Sequence, residues 1–266
     1  MIVVKMGGAE GVNLPAVCAD VAALVRQGQS VVFVHGGSNE TNALSEQLGK
    51  PPRFLTTVTG FTSRYTDRAT LEIFAMATGK INLLLVEQLQ KAGVNALGLS
   101  GADGRLLCAQ RNEAIRVVEN GKRLVIRDDY TGKIEQVNTE LLRYLLGAGV
   151  TPVIQPLAIS ENGDALNVDA DRAAAAVAGA LHAKKLVLLT NVPGLLKNYP
   201  DESSLIPHID RAQANSALEL AQGRMKKKVL GAIDALEMGV ASVIFADGRV
   251  EHPLLGALEG KGTVIS

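Results

Sequence analysis

Lys5 stands two residues before Gly7 and Gly8, and His35 directly precedes Gly36 and Gly37. Each glycine pair follows a short apolar run. That placement predicts two strand ends at which backbone N–H groups and helix dipoles face one anion with no side chain in the way. Such a cradle suits a phosphoryl group in transfer. Double glycines also make ordinary tight turns; their recurrence, with Lys5 alongside, favours the cradle. Asn167, Asp169 and Asp171 alternate, so on an extended segment they share one face. Capping of a helix over 172–181 accounts for one aspartate, not for three polar groups on one side. The third element is Gly223-Arg224-Met225-Lys226-Lys227-Lys228-Val229. The helical spacing of Met225, Val229, Ala232, Ile233 and Leu236 puts Lys227 on the solvent side and Lys226 and Lys228 at the two borders of the apolar face. Periodicity alone does not choose between those two.

Other chemistries lose ground. The nearest approach to a P-loop, Gly256 to Gly262, has the wrong spacing, and GxGxxG does not occur. Gly98-Leu99-Ser100-Gly101 fails the nucleophile-elbow pattern because Ala102 stands where its last glycine belongs. Cys18 and Cys108 form no CxxC, and His35, His182, His208 and His252 form no paired metal motif, so no metal ligand is assigned.

The elements that must position these residues alternate. Strands are expected over 2–5, 30–35, 151–155, 186–189 and 242–245, and helices over 14–27, 38–48, 139–146, 172–181 and 223–237. Gly28 closes the first helix as its C′ residue. A helix opening at Thr66-Asp67-Arg68 is expected to break near Gly79-Lys80 and to resume over 82–91. Residues 98–138, punctuated by Gly, Asp, Arg and Lys, read as a β-hairpin excursion. This is the βαβ rhythm of a parallel sheet covered by helices, in two lobes that share one continuous sheet and change over near Asp169 to Asp171. At 266 residues the chain suits one large α/β unit or two joined lobes. Its 5 Phe, 4 Tyr and absent Trp leave Val, Ile, Leu and Ala to fill the core. The 27 basic and 27 acidic residues cancel, which removes the overall field that nucleic-acid and anionic-membrane binders use. The opening MIVVKMGG reads as a core strand rather than a secretion signal, and the longest apolar runs fall short of a membrane span; a soluble cytoplasmic protein is expected.

In these motifs the chain resembles the amino acid kinase family. They are K-x-GG at Lys5 to Gly8, VHGG at Val34 to Gly37, NVDAD at Asn167 to Asp171, LLTNVPGLL at Leu188 to Leu196 and GRMKKKV at Gly223 to Val229, in family order over nearly the whole chain. The resemblance implies a three-layer αβα sandwich with a mainly parallel open sheet. An amino-terminal lobe, 1–168, would bind the acyl acceptor and dimerise, and a carboxyl-terminal lobe, 169–266, would bind ATP, usually with Mg²⁺. It implies that Lys5 and Lys228 bracket the transferring phosphate while Asp171 holds both lysines. Gly7, Gly8, Gly36 and Gly37 would supply N–H donors, and Arg64 and Asn167, with Gly36 and Gly37, would grip the acceptor. Thr190, Asn191, Val192 and Leu195 would lie by the adenine or ribose.

Acetylglutamate kinases usually read HGGGP at the second loop; this chain reads His35-Gly36-Gly37-Ser38-Asn39. With Pro51 to Leu55, Ser63 to Asp67 and Asp129 to Gly132, it looks closer to the branch that phosphorylates α-aminoadipate, or glutamate, carried on LysW. LysW is the small acidic amino-group carrier protein of lysine and arginine biosynthesis. An acidic carrier calls for a basic rim, for which Lys50, Arg53, Arg64, Arg68 and Lys80 are candidates, although each is equally read as solvated or locally paired charge. Free acetylglutamate is the rival acceptor, and a non-catalytic nucleotide-binding protein on the same fold the rival class. A homodimer is expected, with a helix over 67–78 carrying Leu71, Ile73, Phe74 and Met76 as its interface or, equally, as core. No extra amino-terminal helix of the arginine-sensing kind precedes the first strand, so arginine inhibition is not expected.

Overall fold

The computed structural model describes residues 1–8, 11–60, 62–119, 121–221 and 223–266, with backbone alone for 223 and 224. Chain order begins β1 (Ile2–Met6), α1 (Leu14–Arg26), β2 (Val31–His35) and α2 (Ser38–Gln47). Two short strands, β3 (Phe54–Thr57) and β4 (Thr62–Arg64), lead to the long α3 (Arg68–Lys91) and β5 (Ala96–Ser100). Then come β6 (Leu107–Arg111), β7 (Ile115–Glu119), β8 (Lys122–Ile126), β9 (Gly132–Val137), α4 (Thr139–Gly147) and β10 (Thr151–Gln155). The remainder is β11 (Leu157–Ile159), β12 (Ala165–Asn167), α5 (Ala170–Ala180), β13 (Lys185–Thr190), β14 (His208–Ile209), α6 (Ala217–Leu220), α7 (Gly223–Glu237), β15 (Ser242–Asp247), α8 (Pro253–Leu258) and β16 (Thr263–Ile265).

Eight strands form one sheet in the order β14-β16-β15-β13-β1-β2-β10-β5, parallel except where β16 runs against β15. The two-residue strand period sorts its side chains into two cores. Val3, Val32, Val34, Leu186, Leu188, Val243 and Phe245 pack under α5 and α7, while Val4, Phe33, Val187, Leu189 and Ile244 face α1, α3 and α8. The result is the three-layer αβα sandwich with a mainly parallel sheet. Lys5 shares the parity of Val3 and therefore points into the α5 layer. Gly7 and Gly8 leave the sheet at the carboxyl end of β1, and Gly36 and Gly37 do so at the carboxyl end of β2, the side on which open parallel sheets bind ligands.

Three expectations need correction. α3 does not break at Gly79: its buried stripe of Leu71, Phe74, Thr78, Leu85 and Leu89 runs through the glycine, whose cost in a helix, about 1 kcal/mol, is small beside that burial. By length and composition α3 is also apolar enough to cross a bilayer, yet Leu85 and Leu89 pack on the main sheet, and Leu71 and Phe74 on Leu157 of β11. The excursion starts only after β5, because Gly98 to Ser100 belong to the main sheet. It holds more than a hairpin: its strands β6 to β9 join β3 and β4 from before α3, and β11 and β12 from after β10, in two four-stranded sheets, β4-β3-β7-β8 and β12-β11-β6-β9. Finally, Asn167, Asp169 and Asp171 do not lie on one extended segment. β12 ends at Asn167, Asp169 is the N-cap of α5, and Asp171 sits in that helix's first turn.

Candidate active site

α5 brings the charged centre together. The Asp169 carboxylate accepts from the N–H groups of Asp171 and Arg172 at 2.9 and 3.0 Å, which starts the helix and aims Asp171 at the sheet. Small residues, Ala173, Ala174, Ala175, Ala178 and Gly179, then let α5 lie close to both sheet and α7; a Cβ at Gly179 would stand 2.5 Å from Met238 Cβ. That closeness lets Lys228, on α7, cross to Asp171. Lys228 Nζ donates to both carboxylate oxygens at 2.8 and 3.0 Å, and Lys5 Nζ lies 2.7 Å from Oδ1. Lys226 is exposed, so packing makes the choice that periodicity left open. Lys227, expected in solvent, donates to the Thr62 carbonyl at the edge of β4.

Lys5 is 4% exposed and Asp171 8%, so these charges interact in a poorly screened setting. Burial would raise the Asp171 carboxyl, but Lys228 and Lys5 overcome it and hold Asp171 ionised, well below the usual carboxylate range. Burial likewise opposes the charge on Lys228; the attraction of Asp171 outweighs it and lifts the lysine above its ordinary value. For Lys5, burial prevails over Asp171's attraction, aided by the charge on Lys228, and its pKa falls below that of a solvated lysine. An arriving phosphate would restore the balance. Two lysines on one carboxylate, with Asp169 as a weaker neighbour, make a centre suited to an anion.

The two glycine pairs touch. A Cβ at Gly8 would stand 2.7 Å from the nitrogen of Ser38 and 2.8 Å from that of Gly37. Among the described residues the N–H groups of Gly8, Gly37 and Ser38 have no backbone acceptor. Gly7 and Gly36, also expected to donate, are different, because their N–H groups are spent on the Leu189 and Met6 carbonyls at 3.2 and 2.9 Å.

Arg64 and Asn167 come together on the other side of α2. Arg64 Nη2 donates to Asn42 Oδ1 at 2.6 Å and to the Ser38 carbonyl at 3.2 Å, holding the buried guanidinium at the first turn of α2. Asn167 Nδ2 donates to Thr66 Oγ1 at 3.1 Å, and that hydroxyl donates to the Arg64 carbonyl at 3.3 Å. Residue-by-residue reading missed what fixes this corner. Asp129, 1% exposed, accepts from the N–H groups of Thr66 and Thr131 at 3.0 and 2.8 Å. Arg111 stacks on Tyr130, 3.8 Å from the ring centroid. Asp129-Tyr130-Thr131-Gly132 carried the only signal, as one of the branch motifs.

At the other edge Thr190 ends β13 beside Gly7, but its hydroxyl turns back on its own loop, donating to the Val192 carbonyl at 2.8 Å. Asn191 is exposed. Leu195 is 1% exposed and packs in the core beneath α5 and α7 rather than lining an open edge. The expected basic rim is largely neutralised: Lys50 pairs with Asp67, Arg53 with Glu119, Arg68 with Glu72 and Lys80 with Glu40. Of the expected dimer residues, Leu71, Ile73 and Phe74 are buried within the chain and Met76 alone is exposed.

Among the described residues no three His, Cys, Asp or Glu side chains gather to hold a metal ion, and both oxygens of Asp171 are committed to lysines. The donor set is that of a cation-lined anion site. Known proteins resemble the chain as a whole. A LysW-aminoadipate kinase of Deinococcus radiodurans is 55% identical over all of this chain and 91% of the relative, and one of Thermus thermophilus is 54% identical over all of both. A LysW-aminoadipate/LysW-glutamate kinase of Sulfolobus acidocaldarius is 37% identical, again over all of both chains. Among solved structures, the N-acetylglutamate synthase of Neisseria gonorrhoeae, complexed with coenzyme A and N-acetyl-glutamate, superimposes with a TM-score of 0.81 at 28% identity. This chain spans 59% of that synthase. Giardia carbamate kinase, at 16% identity and a TM-score of 0.71 over 99% of this chain and 97% of its own, shares the fold. The family model described as the amino acid kinase family matches residues 1–247, and with these relatives it establishes that the chain belongs to the amino acid kinase family.

Proposed function

We propose that this chain transfers the terminal phosphoryl group of ATP to the side-chain carboxylate of α-aminoadipate, or of glutamate, carried on LysW, giving an acyl phosphate. The observation that carries this reading is the buried Lys5–Asp171–Lys228 cluster beside the paired glycine loops. An acceptor carboxylate, with a reference pKa near 4, is ionised at neutral pH and needs no general base. The reaction needs stabilisation of charge on the transferring oxygens and on the leaving oxygen of ADP. Lys5, Lys228 and the N–H groups of Gly8, Gly37 and Ser38, which have no backbone acceptor among the described residues, would give it. Asp171 sets the lysines' geometry and takes no proton. A magnesium ion would be carried by the nucleotide's phosphates and water, the environment that ion keeps. Thr190 and Asn191 belong to the nucleotide side, and Arg64 and Asn167 to the acceptor.

The carrier reading draws on the relatives' names and on the β4-β3-β7-β8 sheet. Antiparallel register puts Phe54, Arg64, Arg116, Val118, Arg123 and Val125 on one face, because directly opposed residues share a side. Arg64 ends that face at the acceptor corner. At its far end Arg116 and Arg123 are exposed, make no ion pair among the described residues, and line a cavity of about 360 Å³ with Val58, Leu124 and Val125. Cations among exposed apolar side chains suit an acidic protein better than a free metabolite does. A second copy of this chain would cover a different face, where Met76, Leu83 and Leu84 are 53%, 68% and 42% exposed along α3 beside the edge strand β5. The test of function is ADP release with purified carrier bearing aminoadipate or glutamate, and with free acetylglutamate in parallel. Turnover confined to the free acid would transfer the chain to the acetylglutamate kinases.

A further inference from the structure

His35 closes β2 just before the second glycine pair and is wholly buried. Its Nδ1 lies 3.1 Å from the carbonyl oxygen of Gly36, which can only accept, so Nδ1 carries the proton. Its Nε2 lies 3.1 Å from Asn82 Nδ2 on α3. That nitrogen is identified by its second contact, the Val153 carbonyl at 2.9 Å, so Asn82 donates to both and Nε2 must be a bare acceptor. The orientation is locked from behind. Asn82 Oδ1 lies against the backbone of Gly98 in β5, where any Cβ would collide with it, and a flipped amide would lose the bond to Val153. Three elements, α3, β10 and β5, thus set one imidazole tautomer. Burial, with Lys5 nearby, pulls the ring's pKa down to about 4 against the bond to Gly36, so the ring is uncharged at neutral pH.

The fixed tautomer has a consequence in the next peptide. The carbonyl of Gly36 and the N–H of Gly37 belong to one planar unit and point in opposite directions. Drawing the carbonyl towards His35 therefore turns the Gly37 N–H away from the ring, and its nitrogen lies beside Gly8. There it has no backbone acceptor among the described residues. Two glycines in succession have a wide choice of backbone angles, and the sequence supplies no side chain within the pair to restrict them.

We propose that His35 is a positioning residue, whose Nδ1–H, oriented by Asn82, holds the Gly36–Gly37 peptide so that the Gly37 N–H faces the group in transfer. The proposal rests on the phosphotransferase reading of this site. His35 touches no substrate and moves no proton.

Two near-isosteric variants separate this role from packing. In His35→Asn the side-chain amide can occupy the place of Nδ1 and still donate to Gly36; in His35→Gln the longer side chain reaches the place of Nε2 and can satisfy Asn82 but not Gly36. We expect His35→Gln to lose about a hundredfold in kcat, the scale of one misplaced oxyanion donor, with KM for ATP within a few-fold. His35→Asn should lose less than tenfold at a similar unfolding midpoint. Equal kcat in the two variants, or losses that follow their unfolding midpoints, would overturn the proposal. The wild-type chain supplies a reading independent of folding: ¹⁵N spectra of the histidine rings should show His35 with Nδ1 protonated and Nε2 bare, and an Nε2–H tautomer would equally overturn it. A wild-type chain that released no ADP with any carrier-linked acceptor would instead remove the phosphotransferase reading, leaving the tautomer result standing.

Discussion

Lys5 and Lys228 are held 2.7 and 2.8 Å from opposite oxygens of Asp171, so one carboxylate from the first turn of α5 sets the distance between two cations from opposite ends of the chain. The three substitutions at this centre should therefore differ. Removing one lysine leaves Asp171 with the other, whereas Asp171→Asn leaves two buried ammonium groups facing each other. Lys5→Ala and Lys228→Ala should each lower kcat a hundredfold or more while costing about 1–3 kcal/mol of stability. Asp171→Asn should lower kcat and also cost about 3–5 kcal/mol. Steady-state kinetics with urea unfolding checks both. Wild-type turnover in either lysine variant would defeat the assignment.

The buried ring of His35 predicts how stability depends on pH. In the unfolded chain a histidine titrates near 6.5, and in the native chain His35 titrates near 4. Between those values the unfolded state holds a proton that the native state lacks. Stability must then be full above pH 6.5 and fall as pH drops towards 4, by about 3 kcal/mol in all. Asp171, ionised to well below the usual carboxylate range, loses its contribution mainly below that window. Urea midpoints measured from pH 7.5 to 4 should show the slope in the wild type and a shallower one in His35→Asn. Parallel slopes would mean that His35 is charged or exposed in solution.

The same glycine contacts divide the loop into rigid and yielding parts. A Cβ at Gly8 meets backbone nitrogen of Gly37 and Ser38, which cannot move without displacing α2, whereas a Cβ at Gly37 meets one methyl, Thr78 Cγ2, at 2.6 Å. Gly8→Ala should therefore abolish most turnover, about a hundredfold, and resist second-site repair. Gly37→Ala should recover at least tenfold when Thr78→Ser removes the opposing methyl. A double-mutant cycle in kcat/KM measures this directly, and simple additivity of Gly37→Ala and Thr78→Ser would refute it.

What the sequence could disclose follows from where each signal resides. β1, β2 and β13 are apolar on both faces, so a run of Val, Ile and Leu was sufficient to mark them, and α7 was legible to its ends, Gly223 to Glu237. The small sheets were harder. β8, for example, is KRLVI and exposed along nearly its whole length; Leu124-Val125-Ile126 marked it as part of a hairpin, but nothing in it reports the four-stranded sheet it joins. Asp171 was legible as a carboxylate but not as a helical residue, because an N-cap at Asp169 followed by Asp171 has the same spelling as an alternating strand. Periodicity could not separate Lys228 from Lys226; the motif resemblance pointed to Lys228, and its physical reason, the closeness of α5, depends on alanines and glycine far from either lysine. The charges of the expected rim failed for a similar reason. Glu119 comes to Arg53 from a strand 66 residues away, and no local pattern reports such a partner.

That neutralised rim shifts the predicted carrier contact to Arg116 and Arg123. Both are exposed among Val58, Leu124 and Val125, on the sheet face that ends at Arg64. A carrier docked there would present its amino acid to the acceptor corner, with the proposed phosphoryl chemistry at Lys5 and Lys228. Charge reversal should consequently act on encounter rather than on turnover. Arg116→Glu with Arg123→Glu should raise KM for the carrier-linked substrate at least tenfold at low salt and leave kcat at saturation within twofold. The penalty should shrink as ionic strength rises and screening removes the repulsion. Arg53→Ala, which breaks an exposed pair with Glu119, should change KM by less than threefold. If the double reversal left KM unaltered, or if Arg53→Ala had the larger effect, the carrier would have to approach from the α2 side of Arg64 instead.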